Sequence, residues 1–183
     1  ELIYFVVLCI GSVASLDSNL ESRFDKVYSK RQWAHGNKHT PGSGSGSTWK
    51  ATKRVRKGQL ALMEKYDIKS VLDAPCGDLT WMRHLLPTFS ELNVTYTGID
   101  IVSSVIRVNK RYESSFVNFQ HIDLTSIELP KADLVFSRQA MQHLNSEDNI
   151  KFLSKLNPRW HAYFMATTYD TVENQNFVRV SGP

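Results

Sequence analysis

A chain of 183 residues with 42% hydrophobic and 11% aromatic side chains can bury one ordinary core, so a single folded domain is expected. Its 22 Lys+Arg against 18 Asp+Glu give a net charge of +4, too mild and too dispersed to suggest a nucleic-acid partner. Two cysteines, Cys9 in an apolar stretch and Cys76 in a loop, exclude a disulfide scaffold.

The chain opens with a continuous apolar run, residues 2–10, followed by small residues through Ser15. This is the layout of a secretory signal peptide and implies entry into the secretory pathway. The other reading is an apolar strand or helix at the start of a cytoplasmic protein. The run is too short to cross a bilayer by itself. Asn93-Val94-Thr95 is a glycosylation triplet compatible with secretion. Residues 16–47 read as an N-terminal arm. Its first part, to Lys38, is polar and partly helical, with Phe24, Val27, Tyr28 and Trp33 spaced to pack one face on the main domain. A Gly/Ser-rich stretch, His39 to Thr48, comes next. By composition it is a flexible linker. Yet a helical segment, Thr48 to Tyr66, starts at once, with Ser47 or Thr48 as N-cap, and a glycine-rich loop entering a helix presents N–H groups to an anion. Both readings stand at this point.

Residues 48–183 form the main domain. The amphipathic helix 48–66 carries Val55, Leu60, Leu62 and Met63 toward a sheet. Strands are expected at Ser70–Asp73, Tyr96–Asp100, just before Asp123, at Ala132–Ser137 and at Ala162–Thr168. Helices are expected at Leu79–Leu86, Ser103–Glu113 and Ser146–Leu156. Such alternation indicates a parallel α/β sheet. The cationic cluster between Lys50 and Lys57 reads as a solvated helix face. The pattern shows no metal-ligand set, no Gly-x-Ser-x-Gly elbow and no phosphate-binding Gly-Lys-Ser/Thr loop.

The first strand is the centre of the pattern. Ser70-Val71-Leu72-Asp73 runs into a tight Ala74-Pro75-Cys76-Gly77 corner, and Asp78 opens the next segment. The second strand ends in Asp100, 27 residues after Asp73, near the spacing at which a carboxylate meets a ribose. Asp123 follows the third strand. Gly77 allows close approach of backbone to ligand, and a carboxylate at Asp100 can accept both ribose hydroxyls.

This ordered set, with Gly44-Ser45-Gly46-Ser47-Thr48 upstream and Ala166-Thr167-Thr168 downstream, resembles the class I S-adenosylmethionine-dependent methyltransferases. Within them it is similar to an uncharacterised branch with Asp-Ala-Pro-Cys-Gly-Asp in its first motif. The resemblance implies a Rossmann-like α/β fold, mostly parallel with helices on both faces. It also implies a chain that stops before the family's last two strands. The implied cofactor is S-adenosyl-L-methionine, held by Asp73, Ala74, Cys76, Gly77, Asp100, Ile101, Asp123, Leu124 and Ser137. Ile101 would lie against the adenine and Asp123, beside Leu124, at its amino group. Cys76 is then a small loop residue, not a reactive thiol. After the fourth strand, His143 is the candidate base and Arg138 the group that would orient an acidic acceptor. The branch is expected to carry an acid after the arginine, where Gln139 stands here. Trp49, Trp81 and Tyr169 are candidate pocket walls. The acceptor is expected to be a small molecule or a glycan or protein group. Two other readings are a non-catalytic relative of such enzymes and a nicotinamide-dependent oxidoreductase. The latter calls for a glycine-rich first turn, which Pro75 and Leu79 contradict.

Overall fold

The computed structural model describes residues 20–35 and 37–167. The expected signal segment, Thr168, Tyr169 and the stretch that would hold any further strands lie outside these residues. The core is a five-stranded sheet of β1 (Ser70–Asp73), β2 (Thr95–Asp100), β3 (Val117–His121), β4 (Leu134–Ser137) and β5 (Tyr163–Ala166). Its order is β3-β2-β1-β4-β5, and every pairing is parallel. This is a Rossmann-like α/β fold. The order reverses direction between β1 and β4, the place where such sheets open a crevice at their carboxyl ends.

Alternation along the strands sorts the core into two clusters. Val71, Tyr96, Phe119, Leu134 and Phe136 pack with Met63 and Phe89 on one face. Leu72, Ile99 and Val135 pack with Phe152 on the other. The helices that cover them are α2 (Lys53–Lys65), α3 (Leu86–Glu91) and α4 (Ser103–Asn109) on the first face and α5 (Ser146–Ser154) on the second. The N-terminal arm adds α1 (Leu20–Ser29). Asp133 fastens the start of β4 to that of β1: its Oδ2 accepts from Lys69 N, Ser70 N and Ser70 Oγ at 2.8–2.9 Å. No helix among the described residues is long and apolar enough to cross a membrane.

Three expected elements differ. The helix expected over Leu79–Leu86 is a loop, then a 3-10 turn at Met82–His84, then α3 with Pro87 in its first turn. The reason is local. Asp78 accepts from Thr80 N and Oγ at 3.1 and 2.8 Å, a side-chain turn that competes with helix, and Leu79 sits at φ +53°. The helix after the Gly/Ser stretch begins at Lys53, not Thr48. Thr48 is extended (φ −68°, ψ 154°), so neither Ser47 nor Thr48 caps it. The third strand, Val117–His121, ends two residues before Asp123. The α5 start is as expected, with Asn145 as cap accepting from Asp148 N at 2.7 Å.

The register of β1 against β2 sets how far each strand reaches toward the crevice. Asp73 stands opposite Gly98, so β2 runs two residues past the end of β1 before reaching Asp100. At Gly98 an added Cβ would lie 2.8 Å from the Phe119 ring and 3.1 Å from Cys76 Cβ. Gly98→Ala should therefore overpack the centre of the sheet, with a loss of about 1–3 kcal/mol. Chemical denaturation of the two proteins measures it.

Candidate active site

The crevice at the carboxyl ends of β1, β2 and β4 opens into a cavity of about 390 Å³. Asp73 ends β1, the Ala74–Pro75 peptide is cis, and the loop returns to the sheet through Ala74 N to Phe136 O and Cys76 N to Ile99 O, both 2.8 Å. The loop thus reaches across β1 to both neighbouring strands. Gly77 comes next at φ +58°, a left-handed conformation that an L side chain would strain. Its N–H donates to Asp100 Oδ2 at 3.0 Å, and its carbonyl accepts from Asn109 Nδ2 at 2.7 Å. The Gly77 peptide is therefore held from both sides.

Asp100, 4% exposed, also accepts from Val102 N through Oδ1 at 2.9 Å. Each carboxylate oxygen thus has one backbone partner and one further acceptor site. Burial raises its pKa to about 6, against the two backbone bonds that favour the charged form. Asp73, 3% exposed, accepts from Tyr96 OH at 2.7 Å. Burial raises it to about 7, opposed by that hydrogen bond, while Asp100 pushes it further up and Arg138 pulls it down. Asp123 accepts from Thr125 N and Oγ1 through Oδ1 at 2.8 and 2.7 Å. Ile101 and Leu124 line the cavity beside these acids.

Among the expected cofactor residues, Asp73, Cys76, Gly77, Asp100, Ile101, Asp123 and Leu124 face this one cavity. Ala74 and Ser137 do not line it; both are buried behind it, Ala74 in the core cluster on the second face. Cys76 has its thiol pushed well above the ordinary range by burial and by the charges of Asp100 and Asp73, which keeps it an unreactive wall residue. Trp81 lines the cavity, whereas Trp49 is half-exposed outside it under the Arg56 guanidinium.

Arg138 and His143 line the same cavity. Arg138 Nη2 donates to Gly46 O at 2.8 Å, so it anchors the Gly/Ser loop as well as facing the interior. His143 stacks on Trp33 with ring centroids 4.8 Å apart. Burial and the Arg23 charge lower its pKa, leaving it neutral and able to accept a proton at neutral pH. Gln139, the residue after Arg138, is at φ +49°. Its N–H donates to Thr167 Oγ1 at 2.7 Å, and its side-chain amide occupies the space that a Cβ on Gly46 would need.

The Gly/Ser stretch is packed, not a free linker: Ser47 is buried and the segment Ser43–Ser47 lines the cavity. Asp78 fixes it. Its Oδ1 accepts from Ser43 Oγ at 2.7 Å and its Oδ2 from Ser43 N at 3.1 Å. Asp78, Asn109 and Tyr28 are site residues that the sequence pattern did not single out. The one available signal was the Asp78-x-Thr80 turn.

Residues 71–158, just under half of the chain, match the family model described as "Methyltransferase domain". No curated protein matches the chain. Among solved structures, it is similar to the methyltransferase domain of bacterial CtHen1-CN, at 19% identity and a TM-score of 0.50. That similarity covers 57% of this chain, which spans 58% of the other's length. Human N-acetylserotonin methyltransferase in complex with SAM is 17% identical over 48% of this chain and 25% of that one, with a TM-score of 0.41. The DhpI–SAH complex is 19% identical over 72% and 60%, at 0.44. At these identities the likeness is one of fold. The match over residues 71–158 and the all-parallel sheet fit a methyltransferase-type domain in this part of the chain.

The two raised carboxyl groups couple stability to pH. Between an unfolded value of about 4 and folded values of about 7 and about 6, the native chain holds protons that the unfolded chain has released. These groups therefore make stability decline as pH rises through that window. Asp73→Asn removes its share. Denaturant midpoints from about pH 4.5 to about 7.5 should fall less steeply in the variant than in the wild type.

Proposed function

We propose that this chain is an S-adenosylmethionine-dependent methyltransferase acting on a small molecule or on a glycan or protein group. The observation that carries the reading is the Asp100 carboxylate at the end of β2. It is fixed by Gly77 N and Val102 N and keeps one acceptor site on each oxygen toward the cavity. That arrangement suits a vicinal diol such as a ribose. Gly77, whose missing Cβ leaves room for the Tyr28 hydroxyl at 3.0 Å from that position, lines the cavity beside Asp100.

When bound, S-adenosylmethionine supplies a methyl group on an already activated sulfonium. The chain's own residues then have to orient the two reactants and manage one proton. Asp100 would accept the ribose hydroxyls, Ile101 would pack on the adenine, and Asp123 with the Leu124 backbone would read its edge. Asp73 shapes the loop through its bonded partner Tyr96. Neutral His143 takes the acceptor's proton, and Arg138 orients an acceptor that carries an acid group. The aromatic wall of Phe24, Trp33 and Trp81 keeps water from the transfer.

A second reading, a binding domain without turnover, is favoured by Gln139, whose amide cannot take a proton where an acid was expected. Turnover with His143 replaced separates the two. Calorimetric titration with S-adenosylmethionine, S-adenosylhomocysteine and NAD tests the main reading. Binding of the first two in the range of about 1–100 μM is expected, lost in Asp100→Ala, with none for NAD. Affinity should also weaken as pH falls through about 6, where Asp100 takes up a proton. A folded chain that binds neither sulfur ligand would overturn the reading.

A further inference from the structure

We infer that Tyr28, on α1, is a cofactor-contacting residue whose hydroxyl donates a hydrogen bond to the carboxylate at the amino-acid end of the bound cofactor. The inference rests on the reading of the cavity as an S-adenosylmethionine site. Tyr28 lies far outside the family-matched segment, on an arm that the sequence offered only as packing.

The geometry comes first. Leu20, Phe24 and Tyr28 recur every four residues and turn one face of α1 to the cavity. The Tyr28 ring meets Trp33 edge-on at 5.5 Å, which fixes its plane. Its hydroxyl oxygen lies 3.0 Å from the point that a Cβ on Gly77 would occupy, at the very loop where a ligand meets the backbone. That hydroxyl has no hydrogen bond to any described residue. The middle of α1 is tied to the main domain on either side of Phe24, one turn before Tyr28. Asp25 Oδ1 accepts from Ser104 Oγ at 3.0 Å, and Arg23 Nη2 donates to His143 O at 3.0 Å.

Charge supplies the ligand's chemistry. Asp73, Asp78, Asp100 and Asp123 all line the cavity, against the Arg138 guanidinium. Such a wall favours the sulfonium and ammonium of the cofactor and repels its carboxylate, which therefore needs a hydrogen-bond donor within the cavity. Asp78, the nearest acid in sequence, offers only acceptor oxygens, already engaged by Ser43 and Thr80. The Tyr28 hydroxyl is the donor standing there. Burial and the charges of Asp100 and Asp78 hold its pKa well above the ordinary phenol value, so it keeps its proton to donate.

Two ligands separate this contact from the rest of the site. S-Adenosylhomocysteine carries the carboxylate, and 5′-methylthioadenosine lacks the whole amino-acid end. Calorimetry on the full chain should show Tyr28→Phe binding the first about tenfold more weakly, as expected for a lost hydrogen bond to a charged group. Binding of the second should be unchanged. Asp100→Ala should weaken both. Phe24→Leu, which alters packing but removes no hydroxyl, should not discriminate between the two ligands. Equal losses for both ligands in Tyr28→Phe, or no loss for either, would overturn the assignment while leaving the cofactor site intact. A wild-type chain that binds neither ligand overturns the cofactor reading and this inference with it.

Discussion

The bond from Gly77 N–H to the Asp100 carboxylate is the constraint on which the site depends. It exists because β2 outruns β1 by two residues, so that Asp100 projects past the point where β1 ends. A buried carboxylate is costly unless hydrogen-bonded. Gly77 and Val102 meet that need, one backbone N–H on each oxygen, and Asp100 lines the cavity. With Gly77 fixed on its other side by Asn109, the next residue is fixed too, and Asp78 can reach back to Ser43. One backbone hydrogen bond thus sets the loop, and the loop sets the Gly/Ser segment.

The cavity is built from two unequal parts. The segment matched by the family model supplies the carboxylates and the catalytic candidates. The arm, residues 20–47, supplies the opposite wall: Phe24, Tyr28, Trp33 and the Ser43–Ser47 loop. The arm is held by separate polar ties, at Asp78, at Arg138, at Ser104 and at the His143 carbonyl. No residue of α1 is fully buried. Three of these four ties are half-buried, and Ala34 and Ser47 are buried, so the arm is joined to the main domain by polar contacts and a small amount of packing.

Much of the fold was legible because apolar strands leave a strong local mark. Val71-Leu72, Ile99 and Leu134-Val135-Phe136 are near-continuous apolar stretches of the kind a sheet covered on both faces demands. Asp73, Asp100 and Asp123 were legible as acids following such strands. The local failures have identifiable reasons. Leu79 to Leu86 has helical composition, but the Asp78 side chain and the left-handed Leu79 break it. The Gly/Ser stretch has the composition of a linker, yet it is pinned by an acid 35 residues away in sequence. Ala74 and Ser137 sit beside site residues in the chain but point away from the cavity, because neighbours on a strand or tight turn face opposite sides.

The sequence by itself determined the parallel α/β architecture, the tight loop after β1 and the three acids at the sheet's carboxyl edge. These depend on short-range pattern: apolar runs, a glycine, and carboxylates at strand ends. Only the tertiary structure decided that Asn109 locks Gly77, that Asp78 holds the arm and that the Tyr28 hydroxyl stands over the Gly77 loop. Each of those contacts joins residues more than 30 positions apart, and no periodicity or propensity carries information over that distance. It is the register of β1 against β2 and the packing of α1 across the crevice that bring them together.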